Sequence, residues 1–223
     1  GATEANNLAI KGAAELKSDQ GKHIITSSIE HKAVLDTCEY LESQGYEVTY
    51  LNPQSDGRII AQQVSEALRD DTILVSIMYV NNELGCINPV KEIASVCHAS
   101  NVLFHSDAAQ AVGKFEMDVN DLNVDLLSIC AHKFYGPKGI GALYVKRGVK
   151  VAEQIHGGGH ERGMRSGTLA THQIVGLGEA AQICQQNLQN DNKKLNELRE
   201  QLKSGLLAIE GASLNGSEEY FVP

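Results

Sequence analysis

Between residues 22 and 145, short β-branched or apolar runs alternate with stretches whose apolar positions recur every three or four residues. Residues 22–26 (KHIIT) predict a strand, and residues 31–44 predict an amphipathic helix, with Val34, Cys38 and Leu41 at spacings of 4 and 3 and Gly45 as its stop. Glu47–Leu51 alternates and ends at the Asn52-Pro53 and Asp56-Gly57 turn signals, after which residues 61–68 read as a short helix. Residues 72–80 (TILVSIMYV) are nearly continuously apolar, the pattern of a strand covered on both faces. A helix over 90–100 and strands over 102–106, Leu126–Cys130 and Gly141–Val145 complete the set. This β-α-β alternation predicts an α/β fold, a mostly parallel central sheet flanked by helices with right-handed crossovers. In such sheets ligands sit beyond the carboxyl ends of the strands. After Thr171 the pattern changes to long C-terminal helices, and Leu195, Leu198, Leu202, Leu206 and Ile209, spaced 3, 4, 4 and 3, predict a face packed on the main domain.

Composition narrows the picture in only a few places. At 223 residues the chain is about one and a half times a typical 150-residue domain, enough for a large domain with an appendage. Nineteen Lys and Arg against 28 Asp and Glu give a net charge of -9 with no basic cluster, which argues against nucleic-acid and anionic-membrane partners. No apolar stretch approaches the ~20 residues of a membrane span. The five cysteines are Cys38, Cys86, Cys97, Cys130 and Cys184, an odd and widely spaced set without a C-x-x-C pair, which suits a reducing, intracellular setting. No signal peptide is legible in Gly1-Ala2-Thr3-Glu4, and both ends read as cut from a longer polypeptide.

Three polar clusters fall at predicted strand ends: Asn81-Asn82-Glu83, His105 to Gln110, and Cys130-Ala131-His132-Lys133. Asp107 and Lys133 lie 26 positions apart, room for a crossover and a second strand that brings acid and amine into one crevice. A reactive amine opposite a carboxylate suits a pyridoxal cofactor, whose aldehyde takes the amine as a Schiff base and whose ring nitrogen is kept protonated by the acid. Asp107 also reads as a helix N-cap, and Lys133 alone as an ordinary surface lysine. The Gly-rich stretch from His156 to Thr168 suits either an anion or a surface loop. Zinc through Cys130 and His132 lacks a second ligand pair, so no metal is expected. The segment from Gly136 to Gly141 lacks the order of a nucleotide-binding P-loop and reads as a tight turn.

Taken together, Gly1-Ala2-Thr3-Glu4, Glu30-His31-Lys32-Ala33-Val34, Val80-Asn81-Asn82-Glu83, Asp107-Ala108-Ala109-Gln110, the run from His132 to Gly139 and the HGGGHERGMRSGT block at 156–168 resemble the cysteine desulfurases of the NifS/IscS type. These are class V aminotransferase-group enzymes with the large domain of fold-type I pyridoxal-phosphate (PLP) proteins. The resemblance implies a PLP-binding large domain over 1–190, incomplete at its N-terminus, and over 191–223 a helix with the start of a truncated C-terminal small domain. It implies Lys133 as the Schiff-base lysine, Asp107 as the ring-nitrogen partner and His31 as the stacking acid-base residue. Gln110 would meet the phenolic oxygen and Asn82 would lie beside cofactor and substrate. The phosphate would be held by Ala2 and Thr3 at a helix start, by Cys130 where the family usually has Ser, by His132, and by Thr168 from the other subunit of a homodimer. The implied reaction converts L-cysteine to L-alanine and leaves persulfide sulfur for an iron-sulfur scaffold or another acceptor protein, in the cytoplasm or a mitochondrial matrix. The family's persulfide-forming cysteine motif does not occur in these 223 residues. This leaves an inactive cofactor domain, a selenocysteine lyase or other class V enzyme, or a non-catalytic binding module as further readings.

Overall fold

The computed structural model describes residues 1–223. Its six-stranded sheet is made of β1 (His23–Ser27), β2 (Glu47–Leu51), β3 (Thr72–Ser76), β4 (Leu103–Asp107), β5 (Leu126–Cys130) and β6 (Gly141–Val145). The order is β2-β1-β3-β4-β5-β6, with β1 to β5 parallel and β6 antiparallel at one edge. The expected mostly parallel α/β sheet is therefore present.

Neighbouring apolar residues on the inner strands feed opposite faces, as the two-residue repeat of a strand requires. Ile25, Val75 and Leu127 pack with Val64 of α3 (Ala61–Ala67) and with Ile93 and Cys97 of α4 (Val90–Ala99). Ile24, Leu74 and Leu126 pack instead with Leu8 and Ala13 of α1 (Ala2–Leu16) and with Val34 and Leu41 of α2 (Lys32–Ser43). Both faces are covered, which is why these strands read as continuous apolar runs.

Three features differ from the sequence expectation. The strand expected over 72–80 leaves the sheet after Ser76 on its β1 side, because the Met78 N–H donates to the Glu30 carboxylate at 2.8 Å rather than to a β1 carbonyl. The one-turn helix α5 (Val119–Leu122), capped by the Asp118 side chain, has no periodic signature. The C-terminal helices are a single helix, α6 (Thr171–Leu207), whose 37 residues span about 55 Å.

Near its start α6 sets Ala180 and Cys184 against Ala131 and Phe134 of a 3-10 turn that follows β5. Farther along, Leu198, Leu202, Leu206 and Ile209 are 48%, 63%, 51% and 59% exposed, so the expected packing of this face on the main domain does not occur. Periodicity defines an apolar face but not what covers it. No helix is long and apolar enough to cross a membrane, and no group of three His, Cys, Asp or Glu side chains is gathered as metal ligands.

Candidate active site

The chain winds from β1 out to β2 and then returns to lay β3, β4 and β5 on the other side, so the winding direction reverses between β1 and β3. A crevice opens at such a reversal, beyond the carboxyl ends of the strands. His31 follows β1, Asn82 follows β3, Asp107 ends β4, and Cys130, His132 and Lys133 end β5 or follow it. The structure thus carries the sequence-derived residues to one edge of the sheet.

The amino end of α1 comes to the same edge. Gly1 caps it without a side-chain bond, leaving the Ala2 and Thr3 N–H groups outside the helix ladder. Cys130, buried at the end of β5, lies against the Ala2 and Lys133 N–H groups. Burial raises its thiol pKa and the Asp107 charge adds to that, while the two N–H groups and the Lys133 ammonium pull the other way. Cys130 thus touches the backbone of α1 and of Lys133, and the charges of Asp107 and Lys133 both reach its thiol. Lys133 is exposed on the 3-10 turn Ala131–Phe134, and unlike Lys91, Lys146 and Lys203 it has no ion-pair partner.

Gly141 allows the close approach of α1. A Cβ there would lie 2.5 Å from the Ile129 carbonyl oxygen and 2.8 Å from Gly1 Cα, both backbone atoms. Gly141→Ala should cost about 1–3 kcal/mol by overpacking and displace the first turn of α1. A lower Tm checks this, and an unchanged Tm would refute it.

Asp107 is buried, with Oδ1 accepting from the Ala109 N–H at 2.9 Å and Oδ2 from Asn6 Nδ2 at 2.7 Å. The helix N-cap open from sequence is not found, since a turn and not a helix follows β4, and the Ala109 N–H bond makes Asp107 the cap of that turn. His31 caps α2, its Nδ1 accepting from the Ala33 N–H at 3.0 Å while the ring stays exposed. With Nδ1 accepting, the neutral ring carries its proton on Nε2. Asn82 and His132 are exposed, and Gln110 is half-buried beyond Asp107. His105, from the same polar cluster, belongs to the sheet interior between the Ser76 and Ser128 hydroxyls at 2.8 and 2.9 Å, and burial lowers its pKa to about 3. Thr168 stands apart from this crevice. It lines a separate cavity of about 370 Å³ with Gly1, Glu4, Met164 and Arg165, and none of Lys133, Asp107 and His31 borders it.

Two site neighbours had no role assigned from sequence, Asn6 and Glu30, although Glu30 opens one of the runs that carry the family resemblance. Both are buried, and each keeps one side-chain oxygen without a partner, Asn6 Oδ1 and Glu30 Oε2. Glu30 Oε1 accepts from the Ser27 hydroxyl at 2.9 Å and the Met78 N–H at 2.8 Å, strapping β1 to β3 beside His31. Burial, reinforced by the Asp107 charge, raises its pKa to about 8 against those two bonds.

Since the unfolded chain ionises Glu30 near 4.5 and the folded chain near 8, the native state holds the extra proton between these values. Stability should therefore fall as pH rises through that window and level off above it, with a slope of up to about 1.4 kcal/mol per pH unit from this group. Glu30→Gln should flatten that component in denaturant titrations at pH 5 to 9. An unchanged slope would place the proton elsewhere.

Residues 1–220 match the family model described as aminotransferase class-V. Cysteine desulfurase IscS from Tolumonas auensis is 60% identical over the whole chain, which covers 55% of that protein. A solved structure described as a NifS-like protein superposes with a TM-score of 0.95 at 41% identity, over all of this chain and 61% of that one. Another, of SspA in complex with cysteine, has a TM-score of 0.79 at 53% identity, over 82% of this chain and 53% of that one. The chain spans about half the length of the curated relatives it matches. By sequence and by fold, it belongs to the class-V aminotransferase family.

Proposed function

We propose that the chain is the cofactor-binding part of a PLP-dependent cysteine desulfurase. The observation that carries this reading is the gathering of an unpaired amine (Lys133), a buried carboxylate (Asp107) and the amino end of α1, whose first N–H groups lie outside the helix ladder, near Cys130. Relatives named cysteine desulfurase IscS, and the cysteine complex of SspA, support it.

The residues fit pyridoxal phosphate by their donors and acceptors. The Ala2 and Thr3 N–H groups, the exposed Thr3 hydroxyl and His132 would hold its phosphate at the positive end of a helix. Asp107 would face the ring nitrogen, Gln110 the phenolic oxygen, and Asn82 the substrate side. Lys133 Nζ would anchor the aldehyde carbon. When bound, the cofactor supplies an electron sink for charge developing at the substrate α-carbon. Lys133 Nζ would take the substrate α-proton, and His31 Nε2 would exchange protons at the open side of the crevice. Overall, L-cysteine and a thiol give L-alanine and a persulfide. The carbon-sulfur bond breaks, a sulfur-sulfur bond forms, and the thiol's proton ends in alanine.

No cysteine of this chain is placed as that thiol, since all five are buried and burial raises every one of their pKa values. We therefore assign the sulfur-accepting cysteine to residues beyond these 223. The rest of the reading is a homodimer to which Thr168 contributes across the interface, a smaller domain beginning at 191–223, and an iron-sulfur scaffold or other acceptor protein in the cytoplasm. The test is incubation with pyridoxal phosphate and gel filtration. Retained visible absorbance that shifts with L-cysteine but not with L-aspartate supports the proposal, and a colourless chain refutes it.

A further inference from the structure

Asn6 is fully buried on α1, among Ala9, Ile10 and Ala13, none of which is exposed. Its amide makes one side-chain hydrogen bond, Nδ2 to Asp107 Oδ2 at 2.7 Å across 101 positions of sequence, and its Oδ1 has no partner. An unpaired buried amide oxygen costs about 1–3 kcal/mol that an apolar residue would not incur. The polar group therefore finds its compensation at Asp107.

We propose that Asn6 is a positioning residue for Asp107, fixing the plane of its carboxylate for the ring nitrogen of a pyridine cofactor; this rests on the reading of Asp107 given above. A carboxylate offers about four acceptor positions. Asn6 occupies one on Oδ2 and the Ala109 N–H one on Oδ1, so rotation of the carboxylate breaks both bonds while one position on each oxygen stays open. Asn6 lies one turn beyond Ala2 and Thr3 on the same helix. A single rigid element thus sets both the phosphate donors and the group that meets the ring nitrogen.

The test compares two ligands, pyridoxal phosphate and its analogue with C–H in place of the ring nitrogen, titrated by absorbance into the chain, Asn6→Leu, Asn6→Ser and Asp107→Asn. The original chain should prefer pyridoxal phosphate by about tenfold, the size of one charge-assisted hydrogen bond. Asn6→Leu should bring that preference to within about threefold of unity even where its Tm is unchanged, and Asn6→Ser, whose hydroxyl is too short for Asp107, gives the same result should the leucine variant not fold. Affinity for both ligands falling by one common factor, with the preference intact, would make Asn6 a structural tie only and overturn the inference. A preference lost in Asp107→Asn but kept in both Asn6 variants sinks this inference alone. A preference that survives Asp107→Asn, or a chain that binds neither ligand, overturns the placement of Asp107 and this inference with it.

Discussion

Lys133→Ala is expected to yield a folded chain that borohydride no longer ties to pyridoxal phosphate. The turn that presents Lys133 is held by its neighbours. Ala131 and Phe134 are buried against Ala180 and Cys184 of α6, and Tyr135 closes the turn in the left-handed conformation at φ 68°. The lysine side chain is exposed and unpaired, so its truncation should change stability by no more than about 0.5 kcal/mol, as at an ordinary surface position. The covalent link, by contrast, depends wholly on an amine at the crevice. Lys146 is on the wrong side, beside Asp125 at the opposite ends of the strands, and Lys138 lies beyond the turn on the exposed stretch leading to β6. Peptide mapping after reduction should find the adduct on Lys133 in the original chain and nowhere in the variant. An adduct on Lys138 in the original chain would overturn the assignment.

Supplied with pyridoxal phosphate and excess L-cysteine, the 223-residue chain should release no sulfide and complete no repeated turnovers to alanine. Attack on the substrate sulfur needs a thiolate, and thiolates form where cations, helix ends or neighbouring bases lower the pKa. Here Cys38 and Cys97 are pushed up to about 12 by burial, with Glu30 and Asp125 respectively adding to the effect. Cys86 donates to the Gly57 carbonyl at 3.0 Å and is fully buried at a two-strand bridge with Phe221. Cys130 is in the crevice, but its thiol is raised as well. A missing nucleophile is a complete block rather than a partial one, because the rate depends on bringing the reacting atoms together. Sustained alanine formation, measured with Cys130→Ser as the comparison, would return Cys130 to the role of nucleophile.

The strands were legible because burial on both faces leaves an apolar run, and β2, β5 and β6 occupy the residues expected of them. Helix α1 escaped the periodic reading since its buried stripe includes Asn6 and Gly12, which interrupt an apolar count. Gly12 is buried for a packing reason, as a Cβ there would sit 2.7 Å from the Ala152 carbonyl. Lys133 and Asp107 were legible through their positions at strand ends. Asn6 was not, and Glu30 was read only as part of a family run without a role, because an amide on a helix and an acid before a histidine look like solvent-facing residues. Only contacts spanning 101 and 48 positions reveal them. The stripe from Leu195 to Ile209 shows the converse, since its spacing was legible and its surroundings were not.

The junction of α1 with the far edge of the sheet dictates an order of assembly. Gly1 reaches the Gly139 carbonyl across 138 positions, and Asn6 reaches Asp107 across 101. Such contacts close long loops, and their entropy must be offset before they contribute anything. A ribosome must therefore deliver β4, β5 and the turn into β6 before the proposed phosphate cradle can exist, although the helix that would form half of it is synthesised before them. On the proposed reading cofactor capture would come late in maturation, and a nascent chain halted before about residue 141 should leave α1 without its seat and the proposed pyridoxal phosphate site unformed.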